Sequence, residues 1–357
     1  LRSDYVGPRN GSTLTPNIDD FFRDGLVFKN IYSPSGSTYR GNLSVFTATN
    51  PFFYNLDVKT FESLRSQPGF RYWKEIYTSQ KTLAEYLKSA GYRTAMLNKG
   101  TRSGKATMLD RGYDSYKQFP MRILIEDQIK DLFTQIENIQ EPYFIHFHAI
   151  PTRLHRAYYP QHRQRVKDRD IIYAPYNLGD DPYGYKVIRN HGATEYHQRR
   201  AEHTIYRQQL EYADEQLKRI FDFISNRLEN TVVILTSTHG TQIGDKGIYA
   251  SNGVSYESNI RVPLMIKIPG KKFNSTIDDR LSLLGLVPGI LKLVGLPHDT
   301  MDGMNLLSVL DGKKDYTRPF IAGHNDKDSY LIQGDWKLFV RSDTHRTLFK
   351  LQDGMAS

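Results

Sequence analysis

The 357-residue chain contains no cysteine. That absence excludes a disulfide framework, a zinc finger and a thiol nucleophile, together with any cofactor made from a cysteine side chain. It leaves the compartment open, because a chain without thiols tolerates either redox state. A membrane-spanning run is also missing. The longest apolar stretch, near Leu281 to Leu296, is interrupted by Pro288, Lys292 and three glycines. There is no internal repeat and no low-complexity tract. Nor does a signal peptide open the chain, since polar Arg2, Ser3 and Asp4 follow Leu1. The expectation is an internal fragment, with any export signal or membrane anchor lying upstream.

What is present is the composition of a globular protein. Hydrophobic residues make up 39% and charged residues 24%, which argues against global disorder. The balance of 48 basic against 39 acidic residues gives a net charge of +9. Such a charge favours an anionic partner or substrate, or simply reflects a solvated lysine-rich surface. Nucleic acid is not expected as a partner, because no motif accompanies the charge.

Strand-like and helix-like segments alternate, which predicts an α/β fold: a mixed sheet flanked by helices. Tyr92 to Leu97, Tyr143 to His148 and Thr231 to Thr236 read as strands. Thr82-Leu-Ala-Glu85 is a capping box that opens a helix, with Gly91 as its stop. Tyr206, Leu210, Ala213, Leu217, Ile220 and Ile224 are spaced by four and three, forming the apolar face of a helix packed on the sheet. Residues 153–203 differ. Between Arg156 and Arg200 there are nine basic residues, five acidic residues and seven tyrosines, with little periodicity. This stretch reads as a long excursion over the sheet edge, either a substrate-contacting flap or a solvated insertion. The expected organisation is an α/β core over 1–270 and a smaller α+β subdomain over 271–357. That subdomain would hold a helix at Leu281 to Leu293 and strands at Ser329 to Gln333 and Trp336 to Val340.

Ligands of open α/β sheets gather beyond the carboxyl ends of strands. The segments to inspect are therefore Ser237-Thr-His-Gly240, Asn98-Lys-Gly-Thr101 and the region around His155. Near the N-terminus, Ser33-Pro-Ser-Gly-Ser-Thr38 is a small-residue turn ahead of a helix expected at Asn42 to Thr49. A hydroxyl there could face an anion, helped by helix N-terminal amides. Taken singly, each is as easily structural as functional.

Together these motifs resemble the sulfatase family of the alkaline-phosphatase-like superfamily. The residues that carry the resemblance are Thr15-Pro-Asn-Ile-Asp19, Gly25 to Tyr32, Ala90-Gly-Tyr-Arg-Thr-Ala95, Thr236-Ser-Thr-His-Gly240, Gly244-Asp-Lys-Gly247, Tyr256 to Pro263 with Pro269-Gly270, and Pro288 to Gly295 with Asp302-Gly303. Thr347 to Leu351 is similar to a late family strand. The resemblance implies an ester hydrolase or transferase acting on sulfate or phosphate esters. It also implies a first strand, ending in an acidic metal ligand, ahead of Leu1. Counting six positions past Tyr32 places the nucleophile at Thr38, with Ser35 and Ser37 as fallbacks and Thr47 at a further family hydroxyl position.

The departures from the family pattern are specific. Thr38-Tyr-Arg-Gly-Asn42 has neither the Cys or Ser, nor the Pro, nor the Arg of the formylglycine motif. The resemblance therefore implies a threonine nucleophile in place of formylglycine, activated by a metal or a base. Thr238 stands where an acidic metal ligand is expected, and Lys246 where a histidine is expected. By the resemblance, Lys99 and His155 hold and protonate the ester, Arg40 and Lys246 help bind the anion, and His239 with Thr38 would meet a metal. That metal would be one divalent cation (calcium, magnesium, manganese or zinc), or none. The implied substrate is an anionic ester on a glycan or lipid headgroup, and the implied location is extracytoplasmic or periplasmic. The competing expectation is a catalytically degenerate relative that binds an anionic glycan or lipid headgroup.

Overall fold

A computed structural model describes residues 1–7, 14–51, 80–100, 104, 108–120, 123–152, 171–175, 185–189, 195–245, 248–249, 254–312, 319–325, 328–342, 345–352 and 355–356. The expected α/β architecture is what forms. In chain order the helices are α1 (Pro16–Phe21), α2 (Thr38–Thr47), α3 (Leu83–Ser89), α4 (Ile125–Asn138), α5 (Glu195–Ile224), α6 (Glu257–Ile260) and α7 (Leu286–Leu293). The strands of the larger part are β1 (Leu26–Tyr32), β2 (Arg93–Lys99), β3 (Ser115–Phe119), β4 (Tyr143–His148), β5 (Ile171–Pro175), β6 (Tyr185–Arg189), β7 (Val233–Thr236), β8 (Ile243–Asp245), β9 (Ile248–Tyr249), β10 (Arg261–Lys267) and β11 (Thr276–Ser282). After them come β12 (Ile321–His324), β13 (Ser329–Gln333), β14 (Trp336–Ser342), β15 (His345–Gln352) and β16 (Met355–Ala356).

Two sheets frame the larger part. One runs β11-β1-β10-β7, with β1 parallel to β11 and antiparallel to β10. The other places β2 between β3 and β4, all parallel. From Thr94 to Lys99 β2 is buried throughout, as expected of a parallel strand covered on both faces. The stripe on α5 does what its spacing predicts. Tyr206 and Leu210 pack with Ile18, Phe22, Val27 and Met265, and Ile220 packs towards α4. Asp214 of α5 also accepts hydrogen bonds from Asn17 N, Asn17 Nδ2 and Ile18 N at 2.7–3.0 Å, fixing the start of α1.

The capping box at Thr82 is present, with both reciprocal bonds made to Glu85. Other boundaries moved. The helix expected over Leu281 to Leu293 begins at Leu286, because Thr276–Ser282 is drawn into the sheet beside β1, with Ile31 opposite Leu281. Those residues, which lie beyond 270, thus join the sheet of β1, β10 and β7. The helix expected from Asn42 starts at Thr38. Within 153–203 the structure describes an antiparallel β5–β6 hairpin and, from Glu195, the first turns of α5. The rest of that excursion lies outside the described residues.

The C-terminal strands form an antiparallel sheet in sequence order. Burial along β13 alternates, so one face is solvated. The other face presents Ile321, Tyr330, Ile332 and Leu351 to Tyr32 and Ile260 of the larger part.

Candidate active site

The carboxyl ends of β2, β4 and β7 converge on a cavity of about 1350 Å³. Its wall includes Thr38, Asn42, Lys99, His148, Thr238 and His239. Along the strands the lining is largely apolar, with His146 of β4 as an exception. Its other polar groups come from the strand ends and from α2.

The loop that carries Thr38 is held from behind. Asn325, fully buried after β12, accepts from Ser35 Oγ at 2.8 Å and from Gly36 N at 2.5 Å. Its amide nitrogen donates to Ser255 Oγ at 2.5 Å and to Asp328 Oδ1 at 3.1 Å. Tyr330 OH donates to Ser33 O at 2.6 Å, and His324 N donates to Pro34 O at 2.9 Å. The C-terminal sheet thus braces the turn ahead of Thr38 through side-chain and backbone hydrogen bonds. Position 36 demands glycine, since a Cβ there would lie 2.1 Å from Asn259 Nδ2. Gly41 lets α2 approach the turn after β7, because its Cβ would come within 3.2 Å of Thr238 O.

That close approach brings Thr38 to His239. Thr38 Oγ1 and His239 Nε2 are 2.9 Å apart. On the other side of the ring, His239 Nδ1 lies 2.6 Å from Gly240 O. A carbonyl oxygen can only accept, so Nδ1 carries a proton. In the neutral ring Nε2 is then an acceptor, and the Thr38 hydroxyl donates to it. A hydroxyl hydrogen-bonded to an oriented imidazole is the arrangement of an activated nucleophile. Ser237 fixes the same turn by donating to His239 O at 2.8 Å.

Lys99 ends β2 and is buried at 2% exposure, its ammonium donating to Ile123 O at 2.7 Å. Beside it, His148 ends β4, its Nδ1 2.8 Å from Asn98 Oδ1. Burial, aided by the Lys99 charge, pushes the His148 pKa down to about 4. Burial likewise pushes His146 down to about 3, with His148 contributing. Both rings are therefore neutral near pH 7.

The structure brings Thr38, Lys99 and His239 to one cavity. Arg40 is buried within α2 and does not line that cavity, so the anion-binding role expected for it is not supported by its position. Ser35 is committed to Asn325, Ser37 stands at the N-cap position of α2 without a side-chain capping bond, and Thr47 donates to Leu43 O. His155 and Lys246 lie outside the described residues. Sequence reasoning missed His148, Asn42 and Asn325. The strand-end rule that singled out Lys99 and His239 also points to His148. Nothing in the local sequence announces Asn325, which reaches the loop from 290 positions away.

The architecture, mixed and parallel sheets flanked by helices, is that of an alkaline-phosphatase-like α/β protein. Solved structures share this fold. The phosphonate monoester hydrolase of Agrobacterium radiobacter superposes with a TM-score of 0.70 at 15% identity, over 98% of this chain and 87% of that one. BT4656, solved in complex with its substrate D-glucosamine-2-N,6-O-disulfate, gives 0.70 at 17% identity over 95% and 86%. The chain belongs to the Sulfatase family, whose model matches residues 1–296. Among curated relatives, the Caenorhabditis elegans extracellular sulfatase Sulf-1 homolog is 25% identical over 354 residues, 87% of this chain and 47% of the relative. The chain spans about half the length of the curated full-chain relatives it matches.

The family generally uses a divalent metal. Such a hard cation requires several oxygen donors, most of them anionic. Thr38, Thr238, His148, His239, Asn42 and Lys99 give the cavity wall two threonine hydroxyls, two imidazoles, an asparagine amide and an ammonium group. Among the described residues no three His, Asp or Glu side chains gather to hold a cation. The donor set present does not fit a hard cation, and Thr238 in particular cannot replace a carboxylate.

Proposed function

We propose that the chain is a sulfatase-family hydrolase or transferase that cleaves a sulfate or phosphate ester through Thr38. The observation that carries this reading is the 2.9 Å contact of Thr38 with His239, whose other nitrogen is tied to Gly240 O. In the first step Thr38 Oγ1 attacks the sulfur or phosphorus while its proton passes to His239 Nε2. The bond from sulfur or phosphorus to the leaving oxygen breaks, and that oxygen takes a proton from His155, the proposed acid. Lys99 offsets the charge of the transferred group. Water, or a second hydroxyl compound, then attacks the Thr38 ester and gives its proton to the deprotonated His155, while the bond to Thr38 Oγ1 breaks and that oxygen recovers its proton from His239 Nε2, restoring the threonine and both histidines. In this role His239 is a base rather than the metal ligand expected from the sequence.

The substrate proposed is an anionic ester on a glycan. BT4656 was solved with a sulfated glucosamine, and the cavity is large enough for a sugar-sized ligand. An extracytoplasmic location is proposed with it. The C. elegans relative is named extracellular, and among the described residues no helix is long and apolar enough to cross a membrane. The second reading, a silent binder of an anionic glycan or lipid headgroup, is favoured by Thr238 in place of a carboxylate.

The deciding experiment assays sulfate monoesters, phosphate monoesters and phosphonate monoesters with the wild-type chain and with Thr38→Val. Turnover in the wild type, reduced about a thousand-fold or more in the variant, is expected. Binding of the esters without turnover would select the silent reading.

A further inference from the structure

Asn42 follows Thr38 by one turn of α2, on the same helix face. Helical side chains lean towards the N-terminus, which carries this amide towards Thr38. Asn42 lines the cavity and is 1% exposed. Neither its Oδ1 nor its Nδ2 has a hydrogen-bond partner among the described residues. A buried polar group left in this state costs about 1–3 kcal/mol, and native proteins keep one only for a reason, such as a ligand or water. Asn325 and Asn98, also fully buried, both engage their carbonyl and their amide nitrogen. Asn42, by contrast, lines the cavity with both amide atoms unpartnered among the described residues.

A primary amide specifies its complement. Its nitrogen donates and its oxygen accepts, so a matching ligand presents an acceptor oxygen and an O–H side by side. A sulfuryl ester offers acceptors only, and one of its oxygens would confront the Asn42 carbonyl. A phosphoryl ester that keeps one proton offers both. We propose that Asn42 reads the transferred group directly and selects a protonated phosphoryl group over a sulfuryl group. This rests on the reading of Thr38 and Lys99 as the ester site, and it narrows the substrate class of that site. The hydrogen bond to Asn42 Oδ1 would come from the phosphoryl O–H, and the amide N–H would go to a neighbouring phosphoryl oxygen. No other contact distinguishes the two esters in this scheme.

The test compares methyl phosphate with methyl sulfate by calorimetric titration at about pH 5, where a phosphate monoester is mostly singly charged and protonated. The two probes then share charge and shape and differ by one O–H. Wild-type protein should bind methyl phosphate about ten-fold more tightly. The Asn42→Leu variant should reduce that preference to within about two-fold, and its ligand-free melting temperature should not fall, because a buried unpaired amide has been removed. Equal affinities in the wild type, or a preference that survives Asn42→Leu, would overturn the assignment while leaving the ester site standing. A lower melting temperature in the folded variant would show that the amide has protein partners, and would overturn it too. Failure of both probes to bind would remove the ester site and this inference together. If Asn42→Leu does not fold, the wild-type pair decides alone.

Discussion

The turn ahead of Thr38 and the strand wall facing it are built on opposite terms. Around Ser33 to Ser37 the C-terminal sheet supplies hydrogen bonds from Asn325, Tyr330 and His324, and the buried network continues through Ser255 and Asp328. Across the cavity β4 and β7 are only half-buried along their length. One side is held by protein alone, while the other leaves its surface for something else to cover. A site that must position a hydroxyl and still admit a ligand benefits from that division.

The contrast predicts unequal mutational costs. The largest belongs to the braced side, where the Lys337 ammonium donates to Ser255 O and meets Glu257 at 2.7 Å, with side chains 1% and 7% exposed. Lys337→Met strands a buried carboxylate and should destabilise the fold by about 3–5 kcal/mol in urea unfolding. Adding Glu257→Leu should recover much of that loss; no recovery would mean that packing, not charge, was lost. Asn325→Leu comes next, at about 2–4 kcal/mol, because it orphans the Ser35 hydroxyl and the Gly36 amide. A change below about 1 kcal/mol would show that the brace is ornamental.

A finer comparison uses direct partners across β10 and β7. Ile266 is fully buried, whereas its neighbour Ile234 is half-buried at the cavity. Ile266→Ala should cost about 3–4 kcal/mol and Ile234→Ala about half that. Equal costs would erase the difference between the two sides. Smallest is Asp114, whose pKa is drawn down to about 2, first by Lys88 and then by the Thr94 amide. A depressed carboxylate stabilises above its unfolded pKa of about 4, and the effect fades as pH falls through about 2. The pair is substantially exposed, so Asp114→Asn should cost less than about 1 kcal/mol at neutral pH and nothing at the acid end.

The sequence was most legible where structure is local. Thr82 and Glu85 close their capping box within three residues, and Tyr143–His148 is found with its expected bounds. The strand over Thr276–Ser282 was read partly as helix, because its pairing with β1 comes from 249 positions away. Helix α2 was placed four residues late, since Gly41 is a poor helix former whose value lies in its contact with Thr238. The polar first turns of α5 lack an apolar stripe, so residues 195–203 read as loop. At the site, Lys99 and His239 follow from strand ends and Thr38 from spacing. The brace by Asn325 and the unpartnered amide of Asn42 are tertiary facts with no local signature.

The central claim is that Thr38 becomes covalently modified during turnover. Acid-quenched protein, digested and mass-analysed after brief mixing with a sulfate or phosphate monoester, tests it directly. The account predicts that one SO3 or HPO3 group is gained on the peptide carrying Thr38, and that the gain is absent in Thr38→Val. Steady turnover with that peptide unmodified, or with turnover preserved in Thr38→Val, would contradict it.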